Sequence, residues 1–303
     1  MAKVKSNKIR DPLGDRLLQV GLGLFLLLFF IVEVYPLIYV VASSFSSANA
    51  ITTNKVLLWP VEFTTSSYEF VFQYKQVWVG FRNSVFYTAA HVIIQISCTL
   101  LVAYPLSRRY FQSRRFVTFY FYLTTRFAAG MIPTFILKSQ LGLYNNVWAV
   151  IFSGTTIAVT HMFMLRTAIT SNVPEELFDS ARIDGANHFQ SMTTIAFPLV
   201  KSTIAVLCLY GMVESWNDYF TGMLYLREKE LYPLQVVLRP IMTDASNGMD
   251  ATGMDSAYAN MANDAKEGLR YALIVITAIP PVVAYFILQK NFKGGVMMGS
   301  VKG

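Results

Sequence analysis

Six runs of mostly apolar residues dominate this sequence, and each approaches the roughly 20 residues that an α-helix needs to cross a bilayer. They lie at 17–42, 82–105, 116–137, 146–166, 199–222 and 269–289. Backbone polar groups in lipid have no water to bond, so each run is predicted to be a transmembrane α-helix. The first run continues through Glu33 to Leu37 without a small-residue cleavage site, so we expect it to stay in the membrane.

The composition supports a membrane protein and excludes several other classes. Hydrophobic residues make up 54% of the chain and charged residues 14%, with a mean hydropathy of +0.43, whereas soluble domains carry about 25% charged residues. The net charge is +7, but the basic residues form short clusters beside the apolar runs, which argues against nucleic-acid binding. Cys98 and Cys208 both lie inside apolar runs, so neither a disulfide framework nor a metal cluster is indicated.

The distribution of lysine and arginine predicts the orientation of the chain. With the N-terminus in the cytoplasm, 15 of the 25 basic residues lie on the cytoplasmic side, as the positive-inside rule requires. Both termini are therefore predicted to be cytoplasmic. The predicted organisation is then a tail at 1–16, a six-span domain at 17–289 with an inner loop at 174–198 and outer loops at 43–81 and 223–268, and a second tail at 290–303.

The inner loop has the pattern of a helix, a break and a second helix. Pro174 suits the first helical position, Glu175, Glu176 and Asp179 suit the positive helix end, and Gly185 suits a left-handed turn. A second short helix is predicted from about Asn187. It carries an apolar stripe at roughly helical spacing, formed by Ile183, Ala186, Phe189, Met192 and Ile195. From the pattern alone, docking in another protein's groove and lying on the membrane surface are both open interpretations.

A resemblance favours docking. Asp179-Ser180-Ala181, followed by Asp184-Gly185-Ala186 and closed by Ile195-Ala196-Phe197-Pro198, resembles the EAA loop of ABC importer permeases, with Asp179 in place of the usual glutamate and Ser180 in place of the middle alanine. In that family the loop holds the coupling helix that docks on an ATPase subunit. The resemblance implies a docking role for residues Glu176, Asp179, Ala181, Asp184, Gly185, Ala186, Asn187 and Phe189.

The resemblance extends over most of the chain. Asn83-Ser84, the segment Ala103 to Arg109 and Trp216-Asn217-Asp218 resemble carbohydrate-uptake permeases of the maltose type, and Leu231-Tyr232-Pro233-Leu234-Gln235 with the tail from Gln289 to Gly303 resembles the branch that serves oligosaccharides from plant and algal polysaccharides. It implies an all-α integral membrane fold, namely a six-transmembrane-helix ABC importer permease (MetI/MalG-like) with a cytoplasmic coupling helix, in the bacterial inner membrane.

The same resemblance implies the partners. These are a MalF-like second permease subunit, two ATPase subunits and an extracytoplasmic solute-binding protein. No phosphate-binding Gly-x-x-x-x-Gly-Lys-Ser/Thr motif occurs in the sequence. ATP and Mg are therefore expected on the ATPase subunits, and no catalytic residue, cofactor or metal site is expected in this chain. His91, His161 and His188 are isolated in sequence and lack the spacing of metal ligands.

Charged residues within the predicted spans are candidates for the substrate path. A charge at the centre of a span costs about 2.5–3.5 kcal/mol on insertion scales, so these residues should not face lipid. The charged candidates are Glu33, Arg126, Glu214 and Asp218, and Trp216 and Asn217, which directly precede Asp218, are included with them. Mutual pairing, such as Arg126 with Glu214 or Glu33, is an equally open interpretation. Arg126 suits a carboxylate-bearing sugar, which predicts uronic-acid oligosaccharides such as alginate or pectin fragments, and Trp216 and Tyr219 suit stacking on sugar rings or an interfacial aromatic belt.

The outer loop 223–268 resembles the loop that reaches the docked binding protein. Its stretch 243–265, rich in small and polar residues, is predicted to be mobile, with Asp244, Asn247, Met254 and Asn260 facing the binding protein.

Other classes of membrane protein leave the inner loop unexplained. A secondary transporter would usually show inverted repeats, which are not visible here, a channel or scaffold needs no helix-glycine-helix loop, and an intramembrane enzyme lacks a recurring nucleophile and base.

Overall fold

The computed structural model describes residues 13–127, 129–152, 157–247 and 266–294. Within these ranges the regular elements are helices, and no β-strand occurs, so the all-α prediction is confirmed. The α-helices are α1 Leu13–Ser44, α2 Ala48–Thr52, α3 Ser66–Gln73, α4 Lys75–Ser107, α5 Arg114–Thr124, α6 Met131–Gln140, α7 Trp148–Ile151, α8 Val159–Asn172, α9 Glu175–Ile183, α10 His188–Gln190, α11 Phe197–Leu199, α12 Lys201–Asn217, α13 Phe220–Tyr225, α14 Leu234–Asn247 and α15 Lys266–Leu288. A π-helical stretch covers Ser191–Ala196, and 3₁₀ stretches cover Lys229–Leu231 and Gln289–Gly294.

Three helices in the described ranges are long and apolar enough to cross a membrane unbroken. They run over Gly14–Ser44, Lys75–Ser107 and Glu267–Phe292 and correspond to the first, second and sixth predicted spans. The runs 116–137, 146–166 and 199–222 are instead each divided between two helices, namely α5 and α6, α7 and α8, and α12 and α13. The described part of the chain therefore contains three unbroken spanning helices where the sequence predicts six.

Local chemistry explains two of these breaks. Gly130, before α6, has φ +79°, a left-handed conformation that residues with a side chain rarely adopt. Asp218 has extended backbone (φ −75°, ψ 91°) and ends α12. Its carboxylate accepts a hydrogen bond from the amide of Thr221 at 3.0 Å, so it satisfies a free amide in the first turn of α13. Apolar composition alone does not reveal such interruptions.

The described residues form two compact units. The first contains residues 13–70 and 266–276, where a small core of Ala42, Ala50, Ile51 and Val56 is flanked by Tyr39, Val61 and Tyr271. The rings of Tyr39 and Tyr271 meet edge to face at 5.8 Å. The apolar window of α1 is 0% buried within the chain, so lipid or another protein must cover this helix.

The second unit contains residues 71–247 and 277–294, and α4 lies at its centre. This helix packs against α8, α12 and α14. The largest core cluster joins α4, α8, α9 and α12 and includes residues such as Leu106, Leu165, Ile169, Phe178 and Leu207. Gly80 allows the close approach of α14, because a Cβ atom at this position would lie 3.1 Å from the Cα atom of Leu234.

Candidate functional site

The inner loop, which we call the coupling segment (residues 174–198), folds as two helical pieces around a glycine turn. The helix α9 begins at Glu175, and Pro174 is its N-cap (φ −57°, ψ 140°) rather than its first helical residue as the sequence predicts. The difference is one position, and the proline keeps its φ near the value that its ring requires. Glu175 and Glu176 occupy the first turn, next to the positive end of the helix dipole.

Gly185 closes α9 with a Schellman motif, as its predicted left-handed conformation requires. Its φ is +80°, the amide of Ala186 donates to the carbonyl of Ala181 at 2.9 Å, and the amide of Gly185 donates to the carbonyl of Arg182 at 3.1 Å. Asn187 then caps the next helix through a capping box with Gln190, in which both hydrogen bonds are 2.8 Å long. Helix, turn and second helix therefore agree with the sequence prediction.

The second part of the coupling segment meets the following helix at a sharp angle. The stretch His188–Leu199 is bent by 84° relative to α12. This places it across the direction of the predicted span. Of the docking candidates, Glu176, Asp179, Asp184, Gly185 and Asn187 are exposed, and Ala181 and Ala186 are half-buried.

The predicted apolar stripe of this segment divides into two groups. The side chains of Ile183 and Phe189 are 86% and 64% exposed, whereas Met192 is buried in the core and Ile195 packs against it. The expectation of one continuous exposed stripe is therefore wrong. Phe189 and Met192 both follow the turn at Gly185, and only Met192 is buried in the core cluster that contains residues of α4, so the division lies between these two residues. Ile183 and Phe189 are thus the two residues of the predicted stripe whose side chains are largely exposed in this chain.

Arg108 holds the coupling segment against the end of α4, a role that the sequence analysis missed. Its side chain is 1% exposed, and its guanidinium carbon lies 3.7 Å from the ring centre of buried Phe178 on α9 and 5.7 Å from that of Tyr104. Its Nη1 atom lies 3.8 Å from Oε2 of Glu175. In the sequence, Arg108 is one of two adjacent arginines after a span, and nothing there distinguishes it from exposed Arg109.

A second contact with the coupling segment comes from the short connection after α4. The ring of Tyr110 stacks on His188 at 5.4 Å, and its hydroxyl lies 3.2 Å from Nδ1 of that histidine. Beside this pair an apolar groove of about 350 Å³ opens, and it is lined in part by Leu101, Phe111 and Phe189. The groove extends the apolar surface around Phe189.

Arg126, the leading candidate for contact with substrate, is exposed at the break between α5 and α6. Its guanidinium binds the hydroxyl of Tyr122, with Nη2 at 2.7 Å and Nε at 3.2 Å. Among the described residues no ion pair within 4.0 Å joins Arg126 to Glu214, so the predicted brace between these two residues is not formed. Glu33, Glu214 and Asn217 are exposed as well.

Two other candidates for the substrate path have structural roles. The indole of Trp216 is 2% exposed, donates to the carbonyl of Thr277 at 3.0 Å and meets Phe81 edge to face at 5.8 Å. Its faces are covered by protein, so stacking on a sugar ring does not fit this geometry. Asp218 caps α13 through Thr221. Among the described residues, no three His, Cys, Asp or Glu side chains approach closely enough to hold a metal ion.

The motifs Asn83-Ser84 and Leu231-Tyr232-Pro233-Leu234, far apart in sequence, bind each other. Nδ2 of Asn83 donates to the carbonyls of Glu230 and Tyr232 at 2.7 and 3.1 Å. The hydroxyl of Tyr87 donates to the carbonyl of Leu231 at 3.0 Å, and the amide of Leu234 donates to Oγ of Ser84 at 2.8 Å. We call Lys229–Leu234 the outer segment, because it lies in the predicted outer loop.

The predicted loop facing the binding protein is described only in part. Asp244 and Asn247 lie in the last turn of α14, so residues 243–247 are helical rather than loop as predicted. Met254 and Asn260 lie outside the described residues. Asn145 anchors the beginning of this region. Its backbone amide donates to the carbonyl of Tyr225 at 2.7 Å, and its side-chain Oδ1 accepts from the backbone amide of Arg227 at 3.0 Å.

Comparisons with known proteins agree on one family. Residues 1–298 match the family described as "Binding-protein-dependent transport system inner membrane component". The polygalacturonan/rhamnogalacturonan transport system permease protein YtcP of Bacillus subtilis (strain 168) is 34% identical over 95% of this chain and 99% of its own length. The arabinooligosaccharides transport system permease protein AraQ of Halalkalibacterium halodurans is 26% identical over 97% of this chain and 98% of its own.

A solved structure gives the same result. It is a chain from the crystal structure of a bacterial ABC transporter involved in the import of the acidic polysaccharide alginate. The TM-score is 0.82 at 30% sequence identity, over 94% of this chain and 100% of the other.

Proposed function

The chain belongs to the family of binding-protein-dependent transport system inner membrane components, and from this premise we propose a specific cargo and a set of partners. It is a membrane permease component of a transport system rather than an enzyme. In our proposal it moves oligosaccharides that contain uronic acids across the bacterial cytoplasmic membrane by alternating access. Both termini lie in the cytoplasm, in agreement with the distribution of lysine and arginine.

The observation that carries the proposed mechanism is the exposed apolar surface of the coupling segment. Ile183 and Phe189 project from a segment whose own fold is complete, with a Schellman turn, a capping box and a buried anchor at Phe178. Burying such side chains contributes about 1.5–3 kcal/mol each, and this chain itself does not bury them. A groove on an ATPase subunit is the partner that we propose for this surface.

The proposed complex contains a MalF-like second permease subunit, two ATPase subunits and an extracytoplasmic solute-binding protein. ATP and Mg bind to the ATPase subunits in this scheme, and this chain needs no cofactor of its own. Binding of ATP changes the separation of the ATPase subunits, and the coupling segment follows this movement. The ATPase and the loaded binding protein then favour opposite conformations of one transporter, which is a reciprocal coupling between two distant sites.

The uronic-acid cargo is supported by relatives and by one side chain. Polygalacturonan and alginate, named for the relative YtcP and for the solved transporter, are both polymers of uronic acids. Arg126 is exposed at the break between two helices, with Tyr122 as its hydrogen-bond partner, so its remaining donors are available for a carboxylate. Charge-assisted hydrogen bonds of this kind are roughly twice as strong as neutral ones.

The cargo is tested with the assembled complex in proteoliposomes. ATP hydrolysis is measured with the binding protein and either galacturonate or arabinose oligosaccharides, for wild type, Arg126→Gln and Arg115→Gln. Arg115 is an exposed arginine at the other end of α5 and serves as the matched control. We expect stimulation by the uronides that falls in Arg126→Gln and persists in Arg115→Gln. Equal stimulation by arabinose oligosaccharides would exclude the uronide preference.

The coupling segment is tested with two matched glycines. Gly185 and Gly142 both have positive φ, at +80° and +72°, and both donate an amide hydrogen bond at 3.1 Å, to Arg182 and Ser139. Proline removes that donor and fixes φ near −65°, so both substitutions strain a turn equally. We expect Gly185→Pro to abolish the stimulation of ATP hydrolysis and Gly142→Pro to retain it. The same loss in both variants would argue against a specific role for the coupling segment.

A further inference from the structure

Arg108 is a buried cation with two partners on α9. Its guanidinium lies over the ring of Phe178 and near the carboxylate of Glu175, at 3.7 and 3.8 Å. A buried charge is strongly unfavourable when its partners are removed. Sliding of α9 along Arg108 would therefore cost a large amount of folding free energy. Phe178 and Glu175 are three residues apart and therefore share one face of α9.

The guanidinium is also fixed to its own helix. Arg108 is the C-cap of α4, and its amide donates to the carbonyl of Pro105 at 3.1 Å. Its Nε atom donates to Oγ of buried Ser107 at 3.0 Å. The side chain therefore extends α4 rigidly toward α9.

The opposite end of the same helix is fixed to the outer segment. Asn83, Ser84 and Tyr87 bind four backbone groups of that segment. Ser84 and Arg108 are 24 positions apart, which corresponds to roughly 36 Å along a helix that rises 1.5 Å per residue. That length exceeds the roughly 30 Å of a bilayer's hydrocarbon core, and α4 is one unbroken helix from Ser84 to Ser107, directly before Arg108.

We propose that α4 is a strut that carries the movement of the coupling segment to the outer segment, and that Arg108 is the positioning residue that joins the two at the cytoplasmic end. This inference rests on the proposed function, because the ATPase must first move the coupling segment. When α9 moves, Arg108 carries α4 with it, and the hydrogen bonds of Asn83, Ser84 and Tyr87 carry the outer segment. Nucleotide state is thereby communicated to the face where we propose that the binding protein docks.

The test compares Arg108→Gln with Arg109→Gln in the complete transporter in proteoliposomes. Arg109 is the adjacent, exposed arginine, so both variants lose one positive charge at the same end of α4. Three quantities are measured: co-purification of the ATPase subunits, stimulation of ATP hydrolysis by the loaded binding protein, and oligosaccharide imported per ATP hydrolysed. A purely structural role would lower import and hydrolysis in parallel, whereas loss of transmission lowers the import per ATP.

We expect Arg108→Gln to retain the ATPase subunits and basal hydrolysis while stimulation and import per ATP fall about 5- to 10-fold, within the usual range of coupling energies. Arg108→Lys keeps a cation near Phe178 and should restore part of the loss. Arg109→Gln should match wild type. Identical behaviour of Arg108→Gln and Arg109→Gln overturns the proposal, and so does loss of the ATPase subunits from Arg108→Gln alone. Absence of stimulation in wild type would instead contradict the proposed function.

A second measurement does not depend on any change at Arg108. Cys98 and Cys208 are replaced by alanine, and spin labels are attached at Arg182→Cys on α9 and Ile93→Cys on α4, both at exposed positions. The distance between the labels is measured without nucleotide and with ATP trapped. We expect no change, because a strut requires α9 and α4 to move together. A change of about one helical turn, ~5 Å, would overturn the proposal.

Discussion

The two ends of α4 hold their neighbouring segments in different ways. At the outer end, Asn83, Ser84 and Tyr87 bind the backbone of the outer segment through directional hydrogen bonds. At the inner end, Arg108 holds α9 through the face of an aromatic ring and a carboxylate. The outer segment is thus held through its backbone groups, whereas the coupling segment is held through side chains and keeps Ile183 and Phe189 exposed.

This difference indicates that contacts of the outer segment stabilise the fold of this chain, whereas exposed residues of the coupling segment stabilise a complex with a partner. Each hydrogen bond at the outer end contributes about 0.5–1.5 kcal/mol to folding of this chain alone. The exposed side chains of Ile183 and Phe189 contribute little to the isolated chain, and their burial becomes favourable only when a partner covers them. Substitutions at the outer end should therefore lower the stability of the chain, and substitutions on the coupling surface should lower its affinity for a partner.

The largest expected effect is on partner binding. In the double variant Ile183→Ser with Phe189→Ser, loss of two apolar side chains at about 1.5–3 kcal/mol each should weaken ATPase binding about 100-fold or more. Binding is measured by titrating purified ATPase subunits onto the permease in nanodiscs. The same pair of changes at Phe127 and Ile132, which are similarly exposed, is the control. If the variant at Ile183 and Phe189 binds the ATPase subunits with unchanged affinity, the coupling surface does not determine partner binding and the proposed difference between the two ends is wrong.

The next effect is steric and concerns stability. A Cβ atom on Gly222 would lie 2.8 Å from Cγ of Pro233 and Cγ2 of Val236, so Gly222→Ala should destabilise the chain by about 3 kcal/mol. Gly23→Ala on α1 is the control, since a Cβ atom there meets nothing within 4 Å. Helix propensity alone should raise the unfolding free energy of this variant by about 0.5–1 kcal/mol. Thermal unfolding in detergent measures both. A melting temperature that rises in both variants would contradict the close packing of the outer end.

A smaller loss is expected from Asn83→Ala. The carbonyls of Glu230 and Tyr232 lose their shared donor, which should cost about 2 kcal/mol of unfolding free energy. Asn49→Ala, at an exposed asparagine of α2, should leave thermal unfolding unchanged. ATPase affinity should stay at the wild-type value in both. If Asn83→Ala lowers the affinity for the ATPase subunits, the outer end affects partner binding as well as the stability of the chain, which would contradict the comparison.

The smallest effect is expected from Tyr87→Phe, which removes one hydrogen bond to Leu231 and leaves the ring in place. The unfolding free energy should fall by about 1 kcal/mol. Tyr120→Phe, at an exposed tyrosine of α5, serves as the control for loss of a hydroxyl. Chemical denaturation in mixed micelles resolves the two. Equal stability of both variants would show that the hydroxyl of Tyr87 adds nothing to the outer end.

The sequence predicted local features well where neighbouring residues decide them. Gly185 acts through backbone hydrogen bonds and Asn187 through a side-chain hydrogen bond, all of which span five residues or fewer, so the turn and the cap follow from the residues themselves. The prediction of one apolar stripe for docking was wrong in its second half because Met192 is buried in a core cluster with residues of α4, which lies far away in sequence. The same limit explains Trp216, whose indole is covered by Phe81 and bonded to Thr277.

Arg108 shows most clearly what the sequence alone could not predict. Arg108 and Arg109 are equivalent in composition and in the positive-inside count, yet one is buried under α9 and the other is exposed. No periodicity distinguishes them, because α4 ends at Ser107 and the backbone of Arg108 is already extended. Only the position of Phe178 and Glu175 makes the difference.

By itself the sequence determined the membrane class, the helical fold, the family resemblance and the helix-glycine-helix form of the coupling segment. Hydropathy, proline and glycine chemistry and capping act within a few residues, so they can be read along the chain. The tertiary structure decided which predicted spans are broken, which half of the apolar stripe is exposed, and that Arg108 and Asn83 fix opposite ends of α4. Those outcomes depend on contacts between residues up to about 150 positions apart, and such contacts exist only after the helices have packed.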